Sequence, residues 1–250
     1  MKKYYVTQSC SKFTPILKVF YKNIKSLNFF DGIIVYTDDK NFSPNDNFIN
    51  IVYGKDRSYS SNLKNAVDAC DQDCFFCGCE DYMFLKEDFN RNSYLVNSIF
   101  NFFSSYKNLG ILRLNKAVCI SDKSKFIDKS LGIYEVPKKY QYCVNLQPCM
   151  WKKEFFYDLF KDRLDAWEFE LKFSSRAREH DMACACTEKD LMVLINGNKQ
   201  GNSYRDKFVD LADSFGSEID FSNSLVYVKK NGVKKTVSYK EYIKNNKFEK

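Results

Sequence analysis

The chain opens with a short β-rich run, Lys3 to Val6, followed by apolar residues at helical spacing (Ile16, Leu17, Phe20, Ile24) and a second β-rich run, Gly32 to Tyr36. This switch between periods of two and 3.6 predicts a βαβ unit. Thr14-Pro15 supplies an N-cap and a favoured first-turn residue for its helix. The pattern then repeats. Phe48 to Tyr53 reads as a strand, and Leu63, Ala66, Val67 and Cys70 fall on one face of a helix. A longer helix carries Leu95, Ile99, Phe102, Phe103 and Tyr106, and Gly110 to Leu114 reads as a buried strand. Such repetition predicts an α/β fold with a mostly parallel sheet flanked by helices.

Residues 115–140 are mixed and polar and give no reading. Tyr142, Val144 and Leu146 alternate as a strand does, and Pro148 opens a short helix through Trp151 and Phe155. Leu225 to Lys230 and Val233 to Tyr239 flank Asn231-Gly232, the dipeptide of a two-residue hairpin turn. We therefore expect one domain over residues 1–200, with residues 201–250 as a C-terminal helix and β-hairpin packed on it.

The run Cys74-Phe75-Phe76-Cys77-Gly78-Cys79 is uncharged and stops at Glu80-Asp81. It reads as a buried strand with two carboxylates at its C-terminal edge, the edge at which open α/β sheets bind ligands. Adjacent acids there call for a cation, and a divalent metal carrying a phosphorylated ligand is the usual solution.

Ten cysteines and a formal charge of +7 change this picture little. In a strand over residues 74–79, Cys74 faces away from Cys77 and Cys79, so these thiols do not converge on one tetrahedral zinc and core packing is the preferred reading. The excess charge gathers near the C-terminus at Lys229, Lys230, Lys234 and Lys235. It leaves peripheral contact with an anionic membrane open, and nucleic acid is not expected. No apolar window reaches transmembrane length and Met1-Lys2-Lys3 leads into a strand, so a cytoplasmic protein is expected. There is no phosphate loop and no glycine-rich dinucleotide fingerprint, and the single histidine, His180, reads as a surface pair with Asp181.

What remains is a set of acids: Asp38 and Asp39 after the second strand, Glu80 and Asp81, then Asp165, Glu168 and Glu170. Asp39 reads as a turn residue. Ser9-Cys10-Ser11-Lys12-Phe13, Glu80-Asp81-Tyr82-Met83, Asn145-Leu146-Gln147-Pro148 running into Trp151 and Glu154-Phe155, and Trp167-Glu168-Phe169-Glu170 are in order similar to motifs of GT-A fold glycosyltransferases. The chain resembles in particular a family-two-like group of bacterial and viral proteins, over roughly residues 4–200. The first Asp of an Asp-Asp-Tyr-Phe motif is Glu80 here.

The resemblance implies a metal-assisted transferase moving a sugar from a nucleotide-sugar donor to a hydroxyl of a glycan or other acceptor, with inversion favoured and retention left open. It implies that Asp38, Glu80 and Asp81 bind the donor and that Glu80 and Asp81 hold Mn2+ or Mg2+; Thr7, at the carboxyl end of the first strand, is expected to line the same donor cleft, and Arg57 is a nearby basic candidate for its phosphate. Lys55 is a further basic candidate for phosphate. Gln147, Trp151 and Trp167 fall to the acceptor side, and Glu170, ahead of Glu168, is the expected base, because Trp167 and Glu170 share a helix face. The rivals are a GT-A-like domain that binds nucleotide or carbohydrate without turnover and a cysteine-rich zinc or nucleic-acid adaptor.

Overall fold

The computed structural model describes residues 1–246 apart from 122, 193, 197, 200–202, 218, 223 and 231–232. The first half runs β1 (Tyr4–Gln8), α1 (Thr14–Ser26), β2 (Gly32–Thr37), β3 (Ile49–Tyr53), α2 (Tyr59–Asp68), β4 (Cys74–Cys77), β5 (Tyr82–Phe84), α3 (Lys86–Ser105) and β6 (Leu109–Arg113). There follow β7 (Phe126–Asp128), β8 (Ile133–Glu135), β9 (Cys149–Lys152), α4 (Lys153–Leu159), α5 (Ala166–Glu179) and β10 (Ala183–Thr187). The chain continues through β11 (Leu194–Asn196), β12 (Asn198–Lys199), β13 (Ser203–Arg205), α6 (Asp206–Ser214), β14 (Leu225–Lys230), β15 (Val233–Ser238) and α7 (Tyr239–Asn246).

Nine strands form the central sheet in the order β3-β2-β1-β4-β9-β6-β10-β8-β7. Strands β9 and β8 run against the other seven, so the sheet is mostly parallel. Buried on both faces, β2, β4 and β6 are continuous apolar runs apart from Thr37 and Arg113. The edge strand β3 is half-exposed and correspondingly mixed. One apolar layer packs α1 and α3 against one face and takes in Phe208, Val226 and Tyr242 from the C-terminal segment. The other layer packs α2, α4 and α5. Cys74 belongs to the first and Cys77 to the second, which separates the two thiols as strand alternation requires.

Four expectations are corrected. Thr14 is the first residue of α1, not its cap; its hydroxyl instead donates to Asp39 Oδ2 at 2.6 Å. The strand expected to reach Cys79 ends at Cys77, because Gly78 and Cys79 turn out of the sheet. Residues 142–146 are not a strand, despite their alternation. The helix expected from Pro148 begins only at Lys153: Cys149–Lys152 slot as β9 between β4 and β6, with Phe75 opposite Trp151 and Ile111 opposite Trp151 on the other side.

That register buries Trp151 to 2 % exposure against Phe155, Phe156, Phe169 and Phe173. Burial of an aromatic of this size stabilises the fold by about 1.5–3 kcal/mol. It also removes Trp151 from contact with an acceptor, the role expected for it.

Strands β14 and β15 pair antiparallel from Leu225 and Ser238 to Lys230 and Val233; the expected Asn231-Gly232 turn lies outside the described residues. No helix among the described residues is long and apolar enough to cross a membrane.

Candidate functional site

The carboxyl ends of β1 and β4 open onto a cleft of about 450 Å³. Its floor and walls are Gln8 at the end of β1 and Cys10 after it, the segment Asp56 to Tyr59 with Asn62 of α2, the turn Cys79-Glu80-Asp81, and Asp165-Ala166 at the start of α5. A second cavity of about 520 Å³ adjoins it through Asp56 and is lined by Asp38, Lys40, Tyr53, Gly54 and Lys55. The ends of β1, β2, β3 and β4 thus converge on one edge of the sheet.

The acid turn is held from several sides. Thr7 Oγ1 donates to the Gly78 carbonyl at 2.8 Å, Ser9 Oγ donates to Glu80 Oε1 at 3.0 Å, and the Tyr59 hydroxyl meets the Cys79 sulfur at 3.5 Å. Gly78 is required here: a Cβ would stand 2.5 Å from the Tyr5 hydroxyl and 3.2 Å from the Pro148 backbone. Beyond the turn, the buried Asn23 exchanges two hydrogen bonds with the backbone of Phe84, anchoring β5. Thr7 therefore acts on the turn, its side chain being fully used inside the sheet.

Burial, and next the Asp81 charge, push the Glu80 carboxyl up to about 7. Burial likewise pushes Asp81 up to about 6. Among the described residues no basic side chain forms an ion pair with either acid, and no group of three or more His, Cys, Asp or Glu residues is disposed to hold a metal. Two desolvated carboxylates on a cleft, without a cation of the protein's own, fit a divalent ion that takes its remaining ligands from phosphate and water, the manner in which Mg2+ and its relatives are bound beside nucleotides.

Asp38 accepts the Ser11 amide and hydroxyl at 2.5 and 3.1 Å and so fixes the loop after β1 beside the second cavity. Arg57 is exposed on the rim of the first cleft and Lys55 on the second. Buried Asn62 ties this rim together, donating to Asp56 Oδ1 at 2.7 Å and to Gln8 Oε1 at 3.4 Å while accepting the Arg57 amide at 3.3 Å. Cys10 entered the sequence reading only inside the Ser9-Cys10-Ser11-Lys12-Phe13 motif, and Gln8, Asp56, Tyr59 and Asn62 were missed. Their only local signal is position after a strand or in the first turn of a helix, and it is shared by many residues without a site.

Helix α5 begins in a capping box: Asp165 Oδ1 accepts the Glu168 amide at 2.8 Å and Glu168 Oε2 accepts the Asp165 amide at 3.1 Å. Glu168 gives one oxygen to the helix end and does not line the cleft. Asp165 lines the cleft, and its second oxygen has no partner among the described residues. Trp167, in the first turn of α5, is 71 % exposed and is not among the residues that line the cleft.

Glu170 is half-buried and accepts the Leu146 amide through Oε1 at 2.8 Å. Burial raises its pKa, opposed by that hydrogen bond and by the Arg113 charge. Gln147 Oε1 accepts from Arg113 Nη2 at 3.3 Å, so this side chain is engaged by the end of β6. His180 pairs with Asp158 Oδ2 at 3.1 Å, not with Asp181 as expected.

No protein-family model matches the chain, and no curated protein matches it. Solved structures do. Mannosyltransferase PcManGT from Pyrobaculum calidifontis, in complex with GDP-Man and Mn2+, aligns over 80 % of this chain and 58 % of its own, with 13 % identity and a TM-score of 0.51. Residues 1–349 of S. aureus TarS, in complex with UDP-GlcNAc, align over 88 % of this chain and 68 % of theirs, with 12 % identity and a TM-score of 0.51. The chain therefore has a GT-A-like fold and spans less than two thirds of the mannosyltransferase it matches.

Proposed function

We propose that this chain is a glycosyltransferase that moves a sugar from a nucleotide-sugar donor to a hydroxyl acceptor, and that it belongs to the family-two-like group its motifs resemble. One observation carries the reading: Glu80 and Asp81 lie desolvated at the carboxyl edge of a GT-A-like sheet, in a cleft large enough for a nucleotide, with no protein cation paired to them. The folds that match it include proteins solved with GDP-Man and Mn2+ and with UDP-GlcNAc.

In this reading the nucleoside lies along Gln8, Cys10, Tyr59 and Asn62, with Asp38, Lys55 and Arg57 at the rim. Asp81 and Glu80 would hold Mn2+ or Mg2+, which when bound supplies positive charge for the departing diphosphate. Trp167 offers its exposed ring to the apolar face of an acceptor sugar. The acid best placed to act as base is Asp165, the one α5 carboxylate of the three that lines the cleft, and in this reading it takes the role expected of Glu170 and Glu168, which do not line it. The acceptor hydroxyl loses its proton to Asp165 as its oxygen bonds the sugar's anomeric carbon and the bond to the diphosphate breaks, which inverts that centre.

A thermal-shift screen of nucleoside diphosphates and nucleotide sugars, with and without Mn2+, tests this reading. A metal-dependent rise for one nucleotide is the expected result, and a flat response across the panel would end it. Binding without donor hydrolysis or transfer would favour the runner-up, a nucleotide-binding domain without turnover.

A further inference from the structure

Segment 142–147 forms no strand, and side chains take several of its backbone hydrogen bonds. Arg113 donates to the Tyr142 carbonyl at 3.1 Å, and Ser174 of α5 bonds both the Val144 amide and carbonyl at 3.0 Å. One turn earlier on α5, Glu170 accepts the Leu146 amide. The carbonyl of that same residue, Leu146, accepts the Cys79 amide at 3.2 Å, immediately before Glu80 and Asp81. A continuous path thus runs from the α5 carboxylate, through one residue of this segment, into the turn that carries both acids.

We propose that Glu170 is a positioning residue that fixes the turn bearing Glu80 and Asp81 through Leu146. The assignment rests on the proposed nucleotide-sugar reading for its catalytic meaning, though not for its structural content. A carboxylate is the stronger acceptor for a partly buried amide, and by holding the Leu146 N–H it fixes the position of that residue, whose carbonyl, in the next peptide group, accepts from Cys79. Removing it leaves the Leu146 N–H unpaired at a half-buried position and frees the carbonyl that orients the turn. The same path joins the helix that carries Trp167 to the donor acids, so the acceptor and donor sides share one support.

The test compares Glu170→Gln with Glu170→Ala in the full chain. Glutamine keeps an acceptor oxygen for Leu146; alanine does not. Two measurements are made on each: amide hydrogen exchange at Leu146 and Cys79–Asp81, and Mn2+-dependent affinity for the nucleoside diphosphate that shifts the parent protein most. We expect Glu170→Ala to lose exchange protection at both places and to weaken diphosphate binding about tenfold, with Glu170→Gln restoring most of each.

Unchanged protection at Cys79–Asp81 in Glu170→Ala overturns the proposal. So does a Glu170→Gln protein that is as inactive in sugar transfer as Glu170→Ala while both bind diphosphate like the parent, the signature of a base. If the parent binds no nucleotide, the functional reading fails by itself and the exchange measurement still decides the positioning role.

Discussion

Ser9 and Glu80 meet at the bottom of the cleft, where the Ser9 hydroxyl donates across 3.0 Å to a carboxylate only 7 % exposed. That single hydrogen bond does not offset burial, so the carboxyl stays raised to about 7, and its neighbour Asp81 to about 6, against ordinary values of 4.5 and 3.8.

The sign of the resulting pH dependence follows. Between roughly pH 4 and 7 the unfolded chain releases these two protons while the folded protein retains them, so the folded state binds more protons and loses stability as pH rises. We expect the metal-free melting temperature to fall across this window through these groups and to level above it. Mn2+ should raise it increasingly from pH 6 upward, since the ion binds the ionised acids. A Glu80→Gln, Asp81→Asn protein should lose both the slope and the Mn2+ effect. Melting curves on a pH series check this, and a parent protein indifferent to Mn2+ at pH 8 would contradict it.

Asp165→Asn should separate chemistry from folding. Asparagine is as good an N-cap as aspartate, so α5 stays capped and stability changes little. Sugar transfer should drop by about 10²- to 10⁴-fold with donor binding intact. Transfer at the parent rate would remove Asp165 from the mechanism.

Tyr5 and Gly78 make a packing test. The Tyr5 hydroxyl is buried with no hydrogen-bond partner, so Tyr5→Phe should be neutral or stabilising by about 1 kcal/mol. Gly78→Ala drives a methyl into that hydroxyl and should cost about 1–3 kcal/mol. In the double variant the cost should shrink, because the ring end that blocks the methyl is gone. Additive effects in denaturant unfolding would show that Pro148, not Tyr5, sets the limit.

Trp167→Ala should leave the melting temperature unchanged, since the ring is 71 % exposed, while raising KM for the acceptor and leaving donor hydrolysis alone. Trp151→Ala should do the reverse, destabilising by about 3–5 kcal/mol through the cavity it opens. Equal loss of acceptor affinity without loss of stability in both variants would be inconsistent with these placements.

All ten cysteines are free, and Cys10 and Cys79 line the cleft. Under native conditions they should react slowly, because burial raises both thiols. The donor nucleotide should protect them further, whereas Cys74, Cys77 and Cys149 should react only on unfolding. Mass-spectrometric mapping of alkylated peptides reads this directly.

The α/β class, the first βαβ unit, the β14–β15 pairing and the acid pair at a strand end were legible in the sequence because each is written in local periodicity or in an abrupt change of polarity. Ile16, Leu17, Phe20 and Ile24 can share a face only if the chain is helical there, and a run such as Cys74 to Cys77 has no solvent side. Asp38 at the second strand end and Asp165 before a helix were visible as acids, though not their separate duties.

Only the tertiary structure decided the rest. Alternation at Tyr142, Val144 and Leu146 is indistinguishable from a strand until Ser174, Glu170 and Arg113 are seen to take the backbone's hydrogen bonds. Trp151 fell into the core, and not beside an acceptor, because β9 entered the sheet antiparallel between β4, more than seventy residues away, and β6, about forty away, pairings that no window along the chain contains. Side-chain ownership is likewise non-local: Glu170 and Asp165 are chemically alike in the sequence, and only their distant neighbours make one a support for the acid turn and leave the other facing the cleft.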